Sequence, residues 1–253
     1  MLHRDNRLSD ATGGLGDFAM RIQPEIDKAN VVFVGDFNPR IFRVDWFAAQ
    51  GLLPEEEATS AEVDIVHPEL SRFSTDWLVV QVERHRFLAE TSVPPKIRLA
   101  DLVVRLFGEY LSHTPVHLVG INRIVHFAVP DMDTLDRIGE RLAPQDAWGE
   151  WARQIKGSPE HHGGMQSITM QQTLLDDRDK GYIRAKVEPS TKLKASFAVN
   201  VDVNDHYVIG NPSDVTGCEN AVSLVSNRFE DSLKRSAWII DQVMALAQKT
   251  KNG

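Results

Sequence analysis

Two adjacent hydrogen-bonding side chains, Asn122 and Arg123, interrupt the otherwise apolar run Val116 to Val129 (VHLVGINRIVHFAV). A guanidinium buried without a partner is costly, so Arg123 needs a carboxylate, a carbonyl, a place at the rim of a sheet, or a ligand. A second polar cluster, Glu83, Arg84, His85 and Arg86, breaks the apolar stretch between Trp77 and Thr91. Arg84, His85, Asn122 and Arg123 are therefore the candidates for contacting a ligand or partner. Asp76, Glu83 and His85 are residue types used by metal-dependent nucleases, and on a strand the two-residue period puts Glu83 and His85 on one face, although no lysine completes the set. His161 and His162, followed by Gly163 and Gly164, are metal candidates only if Asp176, Asp177 or His206 is brought beside them, and a solvated loop is the simpler reading. Cys218 has no neighbour in sequence that would lower its pKa. The glycines at 13, 14 and 16 lack the preceding strand a phosphate loop needs. No dinucleotide-binding, P-loop, zinc-protease, nucleophile-elbow or paired C-x-x-C motif is found, so no cofactor is expected.

The elements that must position these residues are legible from periodicity. Asn30 to Phe37 reads as a strand, closed by the Asn38-Pro39 turn, and a short helix with the aromatic block Ile41, Phe42, Val44, Trp46 and Phe47 should follow as core. Glu62 to His67 reads as a strand, and Trp77 to Thr91 as one long or bent strand whose polar break marks a bulge or an emergence from the core. Leu99, Leu102, Val103, Leu106, Phe107, Tyr110 and Leu111 recur at helical spacing between Pro94-Pro95 and Thr114-Pro115. In the next strand Val119, Ile121, Arg123, Val125, Phe127 and Val129 share one face, while Val116, Leu118, Asn122, Ile124 and His126 share the other. Asp131 should cap a helix carrying Leu135, Ile138, Gly139 and Leu142, and a further short helix holds Trp148 and Trp151. Three alternating segments around Ile168 to Leu174, Tyr182 to Glu188 and Ala195 to Val203 predict an antiparallel meander with one wet face. Asp176 to Lys180 forms its first turn. A helix from about Ser223 to Gln248, with Val225, Phe229, Leu233, Trp238, Ile240, Val243, Met244 and Ala247 as its apolar stripe, should cover the dry face.

The fold class expected is α+β, mainly antiparallel sheet with packed amphipathic helices. Residues 1–17 read as a flexible leader, 18–156 as an N-terminal α+β subdomain and 157–253 as a C-terminal meander and helix. No tandem repeat is present beyond a loose echo, strands followed by an amphipathic helix, in the two halves. A formal charge of −8 repels phosphate backbones and disfavours nucleic acid as a partner. A single cysteine fits a reducing compartment, and the first twenty residues lack the pattern of a signal peptide, so a cytoplasmic protein that does not span a membrane is expected.

The segment His117 to Phe127, with Ile121, Asn122, Arg123 and Ile124 at its centre, resembles a sporadically distributed and uncharacterised family of bacterial proteins of about this length. It departs from that family's pattern at Leu118, Val119 and Gly120. The resemblance implies a bacterial cytosolic α+β protein and supplies no catalytic residues, and the family's patchy distribution suits accessory or antiphage-defence genes. With every catalytic template failing, the expected function is a non-catalytic subunit that recognises a protein partner or itself. The alternatives are a metal-dependent hydrolase or nuclease built on Asp76, Glu83, His85 or the histidine loop, and a small-ligand or nucleotide sensor centred on Arg123.

Overall fold

The computed structural model describes residues 22–156 and 163–248, so the expected leader and both His161 and His162 lie outside the described residues. Among the described residues, strands β1 (Ile26–Gly35), β2 (Glu62–Val66), β3 (Leu70–Ser74), β4 (Val79–Glu83), β5 (Arg86–Thr91), β6 (Val116–Ala128), β7 (Ile168–Gln172), β8 (Gly181–Pro189) and β9 (Ala198–Val208) build one sheet. Their order is β2-β3-β4-β5-β1-β6-β9-β8-β7, and all neighbours are antiparallel. The protein is thus α+β and mainly antiparallel sheet. The expected subdomains share that sheet, because β6 pairs with β9 from Leu118 opposite Val208 to Ala128 opposite Ala198.

The loose echo between the halves is a repeat of topology. Each half runs from a central strand (β1 or β6) through short helices and an outer meander (β2 to β5, or β7 to β9) into a closing helix. The two central strands meet at the middle of the sheet, with Val31 opposite Ile121.

Helices α1 (Val44–Ala49), α3 (Ile97–Arg105), α4 (Met132–Leu142) and α6 (Glu219–Ala245) bury their apolar sides on one face of the sheet, whereas α2 (Glu55–Thr59) buries no residue. The α3 stripe buries Leu99, Leu102 and Val103, and a wider π turn over Leu106–Tyr110 keeps Leu106 and Phe107 inside. Phe33, Phe37, Phe42, Phe87 and Phe107 pack ring against ring, the closest centroids 4.9 Å apart, so the aromatic block is core. In the other half Val125, Phe127, Val199, Val201 and Val203 pack beneath Ile138, Ile240 and Met244. Asp131 caps α4 by accepting from the Thr134 amide at 2.8 Å. Trp148 ends a short 3-10 turn, and Trp151 lies in α5 (Glu150–Lys156); their exposed rings stand edge to face, centroids 5.5 Å apart.

Three sequence expectations are corrected. Trp77 to Thr91 is a hairpin and not one bent strand: Glu83 pairs with Arg86, and Arg84 and His85 are the turn between β4 and β5. Glu83 and His85 therefore do not share a strand face. Strand β3 had no counterpart in the sequence reading, and Trp238 is 58% exposed on the outer side of α6, outside the stripe that packs on the sheet.

Candidate recognition face

Alternation along the strands sorts side chains between two faces. Ala29, Val31 and Phe33 of β1, Val119, Ile121, Val125 and Phe127 of β6, and Val199, Val201 and Val203 of β9 point to the helices and are buried. The intervening residues form the second face, which α1, α3, α4 and α6 leave uncovered. Across its middle the strand register lines up Glu90, Asn30, Asn122, Asn204, Arg184 and Gln171 in one row. Asn122 donates its amide to Asn30 Oδ1 at 2.6 Å, Asn30 donates to Glu90 at 3.4 Å, and Lys28 closes on Glu90 at 2.6 Å. At the other end Arg184 donates twice to Gln171 Oε1, at 3.1 and 2.7 Å. Beside it Tyr182 and His206 stack with ring centroids 4.5 Å apart, and the Arg184 guanidinium lies 4.5 Å from the Tyr182 ring centroid.

Three amide oxygens on this face, Asn122 Oδ1, Asn200 Oδ1 and Asn204 Oδ1, are buried and accept no hydrogen bond. Burial raises the Asp202 carboxyl above its usual range, although Lys186 opposes it. Burial, with Arg184 and Arg178 adding to it, depresses His206, and burial with Lys28 and Lys192 depresses His126, so both imidazoles are neutral at pH 7. His126 Nδ1 lies 2.7 Å from Ser190 Oγ.

The four sequence candidates are not brought together. Asn122 lies in the polar row. Arg123, one residue on, points to the helices, where its guanidinium makes a two-pronged pair with Asp27 at 3.1 and 2.8 Å and donates to the Leu233 carbonyl at 3.4 Å. Lys96, from the start of α3, meets the same carboxylate. Burial pushes Asp27 upward, but Arg123 and Lys96 outweigh it and hold the carboxyl below its usual value. Arg123 thus finds both the carboxylate and the carbonyl that its burial demanded, and it ties β6 to β1, α3 and α6.

Arg84 and His85 sit at the rim, paired with Glu69 at 2.6 Å and Asp36 at 3.2 Å, and line a surface cleft of about 470 Å³ with Arg40 and Pro68. Asp76 lies exposed in the turn between β3 and β4, apart from them. Among the described residues no group of three or more His, Cys, Asp or Glu is placed to hold a metal ion. Cys218, just before α6, is buried with its sulfur 3.4 Å from the carbonyl oxygens of Phe107, Leu111 and Ser112, and burial pushes its thiol up to about 11. No described helix is long and apolar enough to cross a membrane.

The sequence reading missed a buried polar cluster around Asp205, which joins Arg178 of the turn before β8 to Ser232 and Arg235 of α6. Its signal was present, since Asp205 falls in phase with the buried Val199, Val201 and Val203. No protein-family model matches the chain, and no curated protein matches it.

Proposed function

We propose that this chain is a non-catalytic recognition subunit of a bacterial, cytoplasmic assembly, and that it holds a protein partner on the face of the sheet opposite its helices. The observation that supports this reading is the polar row Glu90, Asn30, Asn122, Asn204, Arg184 and Gln171, which the strand register sets across that one uncovered face. At its outer end the exposed Arg184 and Gln171 side chains offer hydrogen bonds that a bound polypeptide can reach. The face is also close to balanced in charge: Lys28, Arg72, Arg86, Arg184 and Lys186 stand against Glu62, Asp64, Glu83, Glu90, Glu188 and Asp202, in a chain of net −8. A neutral surface rich in donors is the matching partner, and a polyanion is not. The resemblance around Ile121 to Ile124 supports the bacterial setting and an accessory role, antiphage defence included.

A photo-crosslinking residue at Tyr182, with a control at the exposed Asp231 on α6, tests this in the cells that make the chain. A single identified protein captured from position 182 and not from 231, with co-purification lost in Arg184→Glu, is the expected result. Adducts only between copies of the chain, or none, would overturn the proposal of a separate partner.

A further inference from the structure

Away from the asparagine row, a cleft of about 870 Å³ opens between the end of β9, the turn before β8 and the first turns of α6. Its floor is built from the buried cluster. Asp205, 1% exposed, accepts from Arg178 at 2.6 Å, Ser232 at 2.7 Å, Tyr207 at 3.1 Å and Arg235 at 3.3 Å. Asp177 takes Arg178 at 2.9 and 3.0 Å and Arg235 at 2.8 Å, while the Arg178 guanidinium lies 3.6 Å from the Tyr207 ring centroid. Two guanidiniums on two carboxylates leave this floor neutral and fixed. Such a cluster stabilises less than apolar packing would, but it holds its members in one geometry, as a binding site requires.

The lining above the floor is different. Lys180 and Arg228 both line the cleft, and among the described residues neither side chain has an ion-pair or hydrogen-bond partner. One free carboxylate, Asp179, also lines it. Asn227 uses its amide nitrogen on the Ser223 carbonyl at 2.8 Å, which leaves its side-chain oxygen free, and Asn220 makes only a 3.5 Å contact to the Ile209 carbonyl. Two unpaired cations against one free carboxylate leave the lining with a net positive charge that calls for an anion, and the spare amide groups call for hydroxyls on the same molecule. The volume falls within the range of about 300–1,000 Å³ usual for small-ligand sites.

We propose that this cleft binds a small phosphomonoester bearing hydroxyl groups, the chemistry shared by sugar phosphates and nucleoside monophosphates, with Lys180 and Arg228 on the phosphate. The full chain is titrated by calorimetry with inorganic phosphate, ribose 5-phosphate and adenosine monophosphate in turn. Ribose 5-phosphate or the nucleotide, or both, binds more tightly than inorganic phosphate; a preference between the two esters separates the sugar from the base as the second determinant. Lys180→Ala and Arg228→Ala each weaken binding about tenfold or more, the loss expected for one charge-assisted contact. Both side chains lie outside the core, so these variants keep the parent's melting temperature, and Arg84→Ala, at the other cleft, leaves the affinity unchanged. Absence of binding by all three probes at millimolar concentration, equal affinity for inorganic phosphate and the esters, or an undiminished affinity in the Lys180→Ala, Arg228→Ala double variant overturns the assignment.

Discussion

Replacing Asp205 with alanine is the most searching test of how α6 is held to the sheet. The carboxylate is 1% exposed and serves two guanidiniums and two hydroxyls, and without it Asp177 alone faces both Arg178 and Arg235. Removing one partner of a buried pair costs about 3–5 kcal/mol, because the remaining charge keeps its desolvation penalty. Tyr207 and Ser232 lose their shared acceptor but stay 3.0 Å from each other, which limits their added loss to about 1 kcal/mol. The sum, about 4–6 kcal/mol, is comparable to the whole stability of many domains, about 5–15 kcal/mol. Equilibrium urea unfolding at pH 7 therefore shows a large fall in midpoint, little changed by added salt because the cluster is buried. Arg178→Met in the same background leaves Asp177 and Arg235 as a balanced pair, so the double variant costs less than the sum of the two single ones by about 0.5–3 kcal/mol. A loss below about 1 kcal/mol for Asp205→Ala, or strict additivity with Arg178→Met, would show that the cluster is not coupled in the way its geometry states.

Three further outcomes follow from the same structure. Asp177 is held well below the usual carboxylate range, first by Arg178 and then by Arg235, against burial, and Asp27 is lowered by Arg123 and Lys96, again against burial. A depressed carboxyl contributes stability that is fully present above its unfolded pKa of about 3.9 and is lost as the pH falls toward the folded value. Urea midpoints measured from pH 7 to pH 3 should accordingly hold above about pH 5 and drop below it, and a midpoint unchanged at pH 3 would contradict both pairings. Cys218, with its thiol near 11, resists alkylation at pH 8 in the folded chain and reacts at once in urea; rapid labelling of the folded protein would place it at the surface instead. Gly181 has φ 131°, and a Cβ there would fall 2.2 Å from the His206 carbonyl oxygen, so Gly181→Ala lowers stability by more than about 1 kcal/mol. Gly108→Ala, whose new Cβ would meet Val222 at 3.6 Å, is the tolerated control in the same thermal melts.

Periodicity made legible those elements whose burial is regular. The helix of Leu99, Leu102 and Val103, the long strand that sends Asn122 and Arg123 to opposite faces, and the last two strands of the meander lie where their apolar spacing places them, whereas β7 ends at Gln172 and leaves Met170 and Leu174 exposed. The turn at Arg84 and His85 was hidden because it carries no glycine or asparagine, the usual residues of two-residue hairpins. Strand β3 was hidden because it is short and buries Ser71, whose hydroxyl donates to the Phe42 carbonyl at 2.5 Å, where a pattern reading expects an apolar residue. The need of Arg123 for a partner was readable from its own strand, but Asp27 lies 96 residues away, a distance no local period spans. The Asp205 cluster was obscured differently: its arginines sit in a polar turn and on a helix flank, settings in which charge usually means solvent.

The meeting of β1 with β6 has a consequence for how the chain reaches its native state. Outside that seam, every strand pairing lies within one half of the sequence, while Asn30 and Asn122, which join across it, are 92 positions apart. The pairing of β6 with β9 spans a comparable length, from Ala128 opposite Ala198 to Leu118 opposite Val208, so both long-range ladders close slowly compared with the local hairpins of β2 to β5 and of β7 with β8. Cleavage in the link between Leu111 and Val116 would leave two contiguous pieces, each retaining its own central strand, meander and closing helix. Their reassociation through the β1–β6 ladder, the packing of α3 against α6 and the Arg123–Asp27 pair would then be bimolecular and dependent on concentration.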